Sequence, residues 1–185
     1  MAYTDWNILS PLYNWITSPT HHETRAIEGL ASPGFVIETK ESALATRIAP
    51  WFLFNATGAA VIKFRKVDAS NYYELTLARS GVNLISVILN RVEAGTPTVL
   101  FNAAVTFDTS TWVKIILDNI YRCNNENVFI KLSFLNDAAA ATEVFTIEDG
   151  DYLPGMVDAA PVYVQVMDNL IIDGLFKIQK LYLVE

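Results

Sequence analysis

One cysteine, two histidines and a low share of charge leave little room for several kinds of chemistry. Cys123 stands alone, so no intrachain disulfide can form, and a single thiol of this kind reads as a packing residue. His21 and His22 are neighbours beside Glu23. Adjacent residues rarely converge on one ion, and no further ligands accompany them. Both histidines sit near the N-terminus, away from the rest of the pattern, so no Ser-His-Asp set is favoured. No glycine-rich phosphate loop is present. Lys and Arg number 13 against 20 Asp and Glu, a formal net charge of −7. Such a balance disfavours nucleic acid and anionic membranes as partners, because phosphate binding is driven by Lys and Arg. No apolar run reaches the ~20 residues that span a bilayer, so membrane insertion is not expected. The first residues, "MAYTDWNILSPLYNWITSPTHHE", have neither a basic start nor a clean apolar stretch and do not read as a secretory signal.

What is abundant is apolar material. Hydrophobic residues make up 52% of the 185, and charged residues only 18%, against about 25% in an ordinary soluble domain. That is more than one small core needs, and subunit assembly is the economical use for the surplus. A homo-oligomer is therefore expected.

From Gly34 onward, short β-rich runs alternate with turn clusters such as "NATG", "VDASN", "EAGTP" and "EDGDYLPG". The predicted strands are Phe35–Glu38, Leu44–Ile48, Phe52–Phe54, Ala60–Lys66, Tyr72–Arg79, Asn83–Val92, Thr98–Ala104, Trp112–Tyr121, Asn127–Asn136, Ala141–Ile147, Ala160–Asn169 and Gly174–Val184. "DAAAATE" is the one stretch here that could turn helically. Runs of this kind predict an all-β, antiparallel sandwich over 34–185. In "YYELTLAR", Tyr73, Leu75 and Leu77 share one face, and Tyr72, Glu74, Thr76 and Ala78 the other. In "LISVILNRV" both faces are apolar, and Ile85, Val87 and Leu89 are read with Tyr72 as outward positions. In "WVKIILDNI", Val113, Ile115 and Leu117 oppose Trp112, Lys114, Ile116 and Asp118. Strands apolar on both faces are covered on both sides. The cover could be long loops, the N-terminal segment or a neighbouring subunit.

Residues 1–33 form a segment of different character, rich in aromatics and broken by Pro11, Pro19 and Pro33. It is either an arm that docks on a neighbour through Trp6, Tyr13 and Trp15, or an irregular first layer on its own domain. Within it, a short helix from about His22 to Leu30 is predicted, with Thr20 as N-cap.

The stretches "DASNYYELTLARSGVNLISVI", "FDTSTWVKIILD", "NVFIKLSFLNDAAAATEVFTIED" and "GLFKIQKLYLVE" together resemble a concanavalin A-like, laminin G-like jelly roll over roughly Phe35 to Glu185. Lectins, laminin-type modules, glucanases and virion proteins share that fold, so the resemblance implies an architecture and leaves the function open. Glucanases of this fold carry closely spaced carboxylates in a pattern like Glu-x-Asp-x-x-Glu. Glu148, Asp149 and Asp151 depart from that spacing and read as a solvated acidic turn. The same three residues are the weak candidates for calcium, which wants six to eight oxygens. No other cofactor is expected. Trp51, Tyr72, Tyr121 and Tyr152 are the candidates for stacking on a sugar ring. The combination leads first to a non-enzymatic, self-assembling virion or filament subunit (a capsid decoration, turret, fibre or tail component in a virion or surface assembly). The alternative is a lectin-like module that binds a host-surface glycan without cleaving it, and a glucanase-type enzyme ranks below both.

Overall fold

A computed structural model describes residues 6–11, 13–16, 26–30, 34–39, 46–54, 57–108, 111–122, 127–136, 142–152, 156, 160–167, 170–173 and 179–180. Among these residues there is no helix. The strands are β1 (Trp6–Pro11), β2 (Tyr13–Ile16), β3 (Ala26–Gly29), β4 (Phe35–Thr39), β5 (Thr46–Ile48), β6 (Trp51–Leu53), β7 (Ala59–Phe64) and β8 (Tyr72–Gly81). They continue with β9 (Leu84–Glu93), β10 (Thr96–Thr106), β11 (Val113–Arg122), β12 (Asn127–Asn136), β13 (Thr142–Asp149), β14 (Tyr163–Met167), β15 (Ile171–Asp173) and β16 (Gln179–Lys180).

Two antiparallel sheets result. One runs β1-β4-β14-β7-β8-β9-β10, and the other β13-β12-β11-β6-β15-β3-β2, with β5 and β16 attached beside β11. Hairpins account for β7 to β10 and for β11 to β13. By contrast, β14 is inserted between β4 and β7, a non-local pairing that local pattern cannot announce.

Alternation places one side chain in two in the core. Ile62 and Phe64 on β7, Tyr73, Leu75 and Leu77 on β8, and Val164 and Val166 on β14 are all buried. So are Val113, Ile115 and Leu117 on β11, and Val128, Ile130, Leu132 and Phe134 on β12. Phe64 and Tyr73 are register partners and stack with centroids 5.6 Å apart. Each such side chain contributes about 1.5–3 kcal/mol through area removed from water.

Three expectations are corrected. Ile85, Val87 and Leu89 face inward and are fully buried, while Leu84, Ser86, Ile88 and Asn90 take the outer face. Their strand pairs with β8 so that Leu75 meets Leu89 and Leu77 meets Val87, which matches core to core. Next, Ala26–Gly29 is a strand, because it finds partners on both sides, β2 and β15; tertiary pairing outweighs weak local helix preference. Finally, Glu148 and Asp149 belong to β13 and not to a turn, and Asp149 is only 4% exposed. The residues of "DAAAATE" before Thr142 lie outside the described residues.

The N-terminal segment contributes to both layers. β1 pairs with β4 at one edge of the seven-stranded sheet, and β2 pairs with β3 at one edge of the other. Near it the two backbones touch. A Cβ on Gly29 would stand 2.1 Å from the Val166 carbonyl oxygen, and one on Gly34 would stand 2.2 Å from the same atom. Gly34 also has φ +65°, a conformation glycine adopts at no steric cost.

The opposite side is closed differently. There β10 and β13 end their sheets, and the rings of Phe101 and Phe145 meet with centroids 4.8 Å apart. The end of β13 carries a buried polar lock. Arg91 Nη1 donates to Asp149 Oδ1 at 2.7 Å, Tyr73 Oη donates to Oδ2 at 2.7 Å, and the Asp151 amide donates to Oδ1 at 3.1 Å. Burial pushes the Tyr73 hydroxyl well above the usual tyrosine range, and the Asp149 hydrogen bond and charge push it further. Tyr73 therefore stays a donor at every physiological pH.

Candidate functional site

The outer face of the seven-stranded sheet carries a row of side chains set by register. Tyr163 on β14 lies beside Glu38 on β4 and Lys63 on β7. Lys63 pairs with Glu74, Glu74 with Asn90, and Asn90 with Val99. Their inward neighbours Val164, Ile62, Leu75 and Leu89 are core residues, so alternation turns the whole row outward. All but Val99 are half-buried, and Val99 is exposed. At about 4.8 Å per strand, six strands make a row about 24 Å long.

Lys63 organises its middle. Nζ stands 3.4 Å from Glu74 Oε2 and 4.3 Å above the Tyr72 ring, with the Tyr163 ring centroid 5.6 Å away. Partial burial works against the lysine's charge, but the hydrogen bond to Tyr72 and the charge of Glu74 outweigh it and hold the ammonium above its ordinary range. Partial burial also raises the Tyr163 hydroxyl; Lys63 opposes that, and Glu38 and Glu74 reinforce it. At the end of the row, Lys66 Nζ donates to Glu38 Oε1 at 3.2 Å. Two cations thus answer two carboxylates, and the row carries no surplus charge.

The next row has another character. Gln165, Val61, Thr76, Ile88 and Asn102 lie side by side across β14, β7, β8, β9 and β10. They are neutral and mostly short. The face therefore combines two tyrosine rings, a charged hydrogen-bonding strip and an uncharged shelf. Aromatic rings with a few fixed polar groups make a surface for polyhydroxylated ligands, whose C–H faces stack while hydroxyls pair with amine, amide and carboxylate groups.

Only one of the four sugar-stacking candidates stands on this face. Tyr72 is there, with Lys63 against its ring. Trp51 belongs to the opposite sheet, packed with Leu53 against Trp112, with Lys114 Nζ 5.4 Å from its ring centroid. Tyr152 packs against the main core. Tyr121 lies on β11, Trp6 on β1, and Tyr13 and Trp15 on β2; what their side chains touch lies outside the described residues, as do His21, His22, Glu23 and Cys123.

The acidic candidates do not gather either. Asp149 points inward to Arg91, whereas Glu148 and Asp151 are exposed. Among the described residues no three His, Cys, Asp or Glu side chains come together as a metal-holding group.

The sequence reading missed Glu38, Lys63, Glu74, Asn90 and Tyr163. Parity alone puts Tyr72 and Glu74 on one face. Bringing Lys63, Tyr163 and Glu38 beside them requires knowing that β14 lies between β4 and β7.

No family model matches the chain, and no curated protein matches it in sequence. Solved structures match its fold. The enzymatically active domain of tailspike protein 2 of bacteriophage CBA120 is similar with a TM-score of 0.62 at 10% identity, over 89% of this chain and 25% of that one. Xylan β-1,4-xylosidase from Bacillus halodurans C-125 is similar with a TM-score of 0.58 at 11% identity, over 90% of this chain and 35% of that one. The chain thus spans about a quarter to a third of the length of these structures. What it shares with them is an all-β, antiparallel jelly-roll sandwich, the architecture that the sequence resemblance implies.

Proposed function

We propose that this chain is a non-enzymatic carbohydrate-binding β-sandwich, and that it takes its glycan on the outer face of the seven-stranded sheet. The observation that carries the reading is the grouping of Tyr72, Lys63, Tyr163 and Glu74 on that face, half-exposed and mutually fixed. Sugar recognition uses such a set: rings to lie against, and polar groups already oriented. The absence of catalysis is part of the proposal, since Glu148, Asp149 and Asp151 are not arranged as a pair flanking one bond. The occurrence of the same fold within a xylan xylosidase supports a module that serves a larger carbohydrate-directed protein.

A glycan array with the intact chain tests this. Binding should appear to neutral poly- or oligosaccharides and fall at least about tenfold, or 1.4 kcal/mol, in Tyr72→Ala and Lys63→Ala. An empty array, or binding lost in Trp51→Ala and untouched in Tyr72→Ala, overturns the assignment. Turnover of a β-glucan by the wild type would overturn the non-enzymatic part.

A second reading keeps the virion. The fold likeness to a phage tailspike supports a fibre or tail component as the place where such a module is carried. Cross-linking mass spectrometry on intact particles would find this chain joined to tail subunits; its absence from particles would reject the location without touching the glycan site.

A further inference from the structure

The uncharged shelf on the outer face has an order of its own. Gln165, Val61, Thr76, Ile88 and Asn102 stand on five neighbouring strands, β14, β7, β8, β9 and β10. Their character alternates from strand to strand: polar, apolar, polar, apolar, polar. None of the five is buried, so the alternation is presented to whatever lies on the face. Along a strand, alternation separates core from solvent. Here it runs across the strands on a single face, where folding does not require it.

The shelf also has a high side and a low side. Tyr163, Lys63 and Glu74 form the high side, and Tyr163 Oη lies 3.5 Å from Gln165 Oε1, so that ring leans over the start of the shelf. On the low side Ala59, Ala78, Ser86 and Ala104 are register partners in turn and rise little above the backbone. At the β10 end Asn102 and Ala104 are exposed at the edge of the sheet, so a long ligand can run on past it.

We infer that the shelf takes an unbranched, β-1,4-linked glycan laid across the strands, one sugar to a strand. This rests on the assignment of a glycan to the outer face and names its class. In a flat chain of that linkage each sugar is turned over relative to the last. One long edge therefore presents paired hydroxyls and the ring-oxygen side by turns, and each sugar advances by nearly the ~4.8 Å between strands. Set edge-down, the chain brings hydroxyl pairs to Gln165, Thr76 and Asn102, which both donate and accept. The less polar side of the intervening sugars meets Val61 and Ile88, and the ring faces turn toward Tyr163. Chains linked α-1,4 or β-1,3 coil and do not keep this two-strand period.

Calorimetric titration of the intact chain with linear xylo- and cello-oligosaccharides of increasing length tests it. Affinity should climb with each sugar added and level at five, one for each strand under the shelf. Malto- and laminari-oligosaccharides of equal length should bind at least about tenfold more weakly. Thr76→Val removes the central hydroxyl at nearly constant shape and should lower affinity about three- to tenfold, with an unchanged melting temperature. Thr146→Val, on β13, should bind as the wild type does. A preference for α-1,4 or β-1,3 chains, an affinity already complete with a disaccharide, or wild-type binding by Thr76→Val overturns the inference. If binding in such a case is still lost in Tyr72→Ala, the glycan site stands and only the linkage falls. If no glycan of any linkage binds, both fall.

Discussion

Arg91 and Asp149 meet at 2.7 Å in the interior, one from β9 and the other from β13, and so tie the two sheets together through their core. Both are nearly buried, at 9% and 4% exposure. A charge held there without its partner is costly, whereas an apolar pair of similar size is tolerated. Asp149→Ala should therefore cost about 3–5 kcal/mol in urea denaturation, since it leaves the guanidinium buried and unanswered. The double variant Arg91→Met, Asp149→Leu should lose less than Asp149→Ala alone. Equal or greater loss in the double variant would mean that the pair is not acting as a unit.

The glycine contacts give a second test. Gly29→Ala drives a methyl group against the Val166 carbonyl and should cost about 1–3 kcal/mol, the range for overpacking. Gly81 offers the contrast, since its nearest neighbour, Leu84 Cβ, would lie at an ordinary 3.6 Å. Gly81→Ala should change stability by no more than about 0.5 kcal/mol. Similar midpoints for the two variants in thermal melts would contradict the close approach of the two sheets.

The turn between β9 and β10 is strained where it need not be. Ala94 has φ 48° and Gly95 has φ 80°, the pair of positive values that a two-residue hairpin of the I′ type requires and that Asn-Gly supplies best. Ala94→Asn should raise stability by about 0.5 kcal/mol. A variant no more stable than the wild type would contradict that turn geometry.

A loop holds this turn in place and carries its own pH signature. Asn71 Oδ1 accepts from the Ala94 amide at 2.9 Å, and Ser70 O accepts from the Gly95 amide at 2.9 Å. Asp68 fixes the loop by accepting from the Ser70 amide and the Asn71 side chain, and these bonds hold its carboxyl below the ordinary 3.8. The sign follows: the contribution is present above pH 3.8 and is lost as pH falls through the lowered value. The Ser70 amide resonance should titrate with a midpoint below 3.8, and a midpoint at or above it would contradict the bond.

Much of the fold was legible because "YYELTLAR", "WVKIILDNI" and "NVFIKLSFLN" alternate cleanly or are β-rich throughout. β9 was harder. In "LISVILNRV" both parities are apolar, so pattern cannot say which faces the core, and only pairing with β8 decides it. β1, β2 and β3 are short and lie among prolines and tryptophans; their partners β4 and β15 define them as strands. Asp149 looked like one acid in an acidic turn because its partner, Arg91, is 58 residues away. The candidate site was legible at Tyr72 and, by parity, at Glu74 on the same strand; the rest of the row comes from five other strands.

Protonation should leave ligand binding at that row unchanged around neutrality. Lys63 is held above its ordinary 10.5 and Tyr163 above its ordinary 10.0. The stabilising charge of Lys63 is therefore fully present below 10.5 and is lost only as pH climbs through the raised value. Calorimetric titration should return a flat affinity between about pH 6 and pH 9. A fall in that window would assign binding to other groups.

The central claim is that a glycan sits on the outer face of the seven-stranded sheet, and the most direct measurement is amide chemical-shift mapping with a glycan taken from the array. Shifts should concentrate at Lys63, Tyr72, Glu74, Asn90 and Tyr163, with Trp51 and Tyr152 unmoved. Shifts centred on Trp51, Trp112 and Lys114, with the Lys63 row silent, would contradict it.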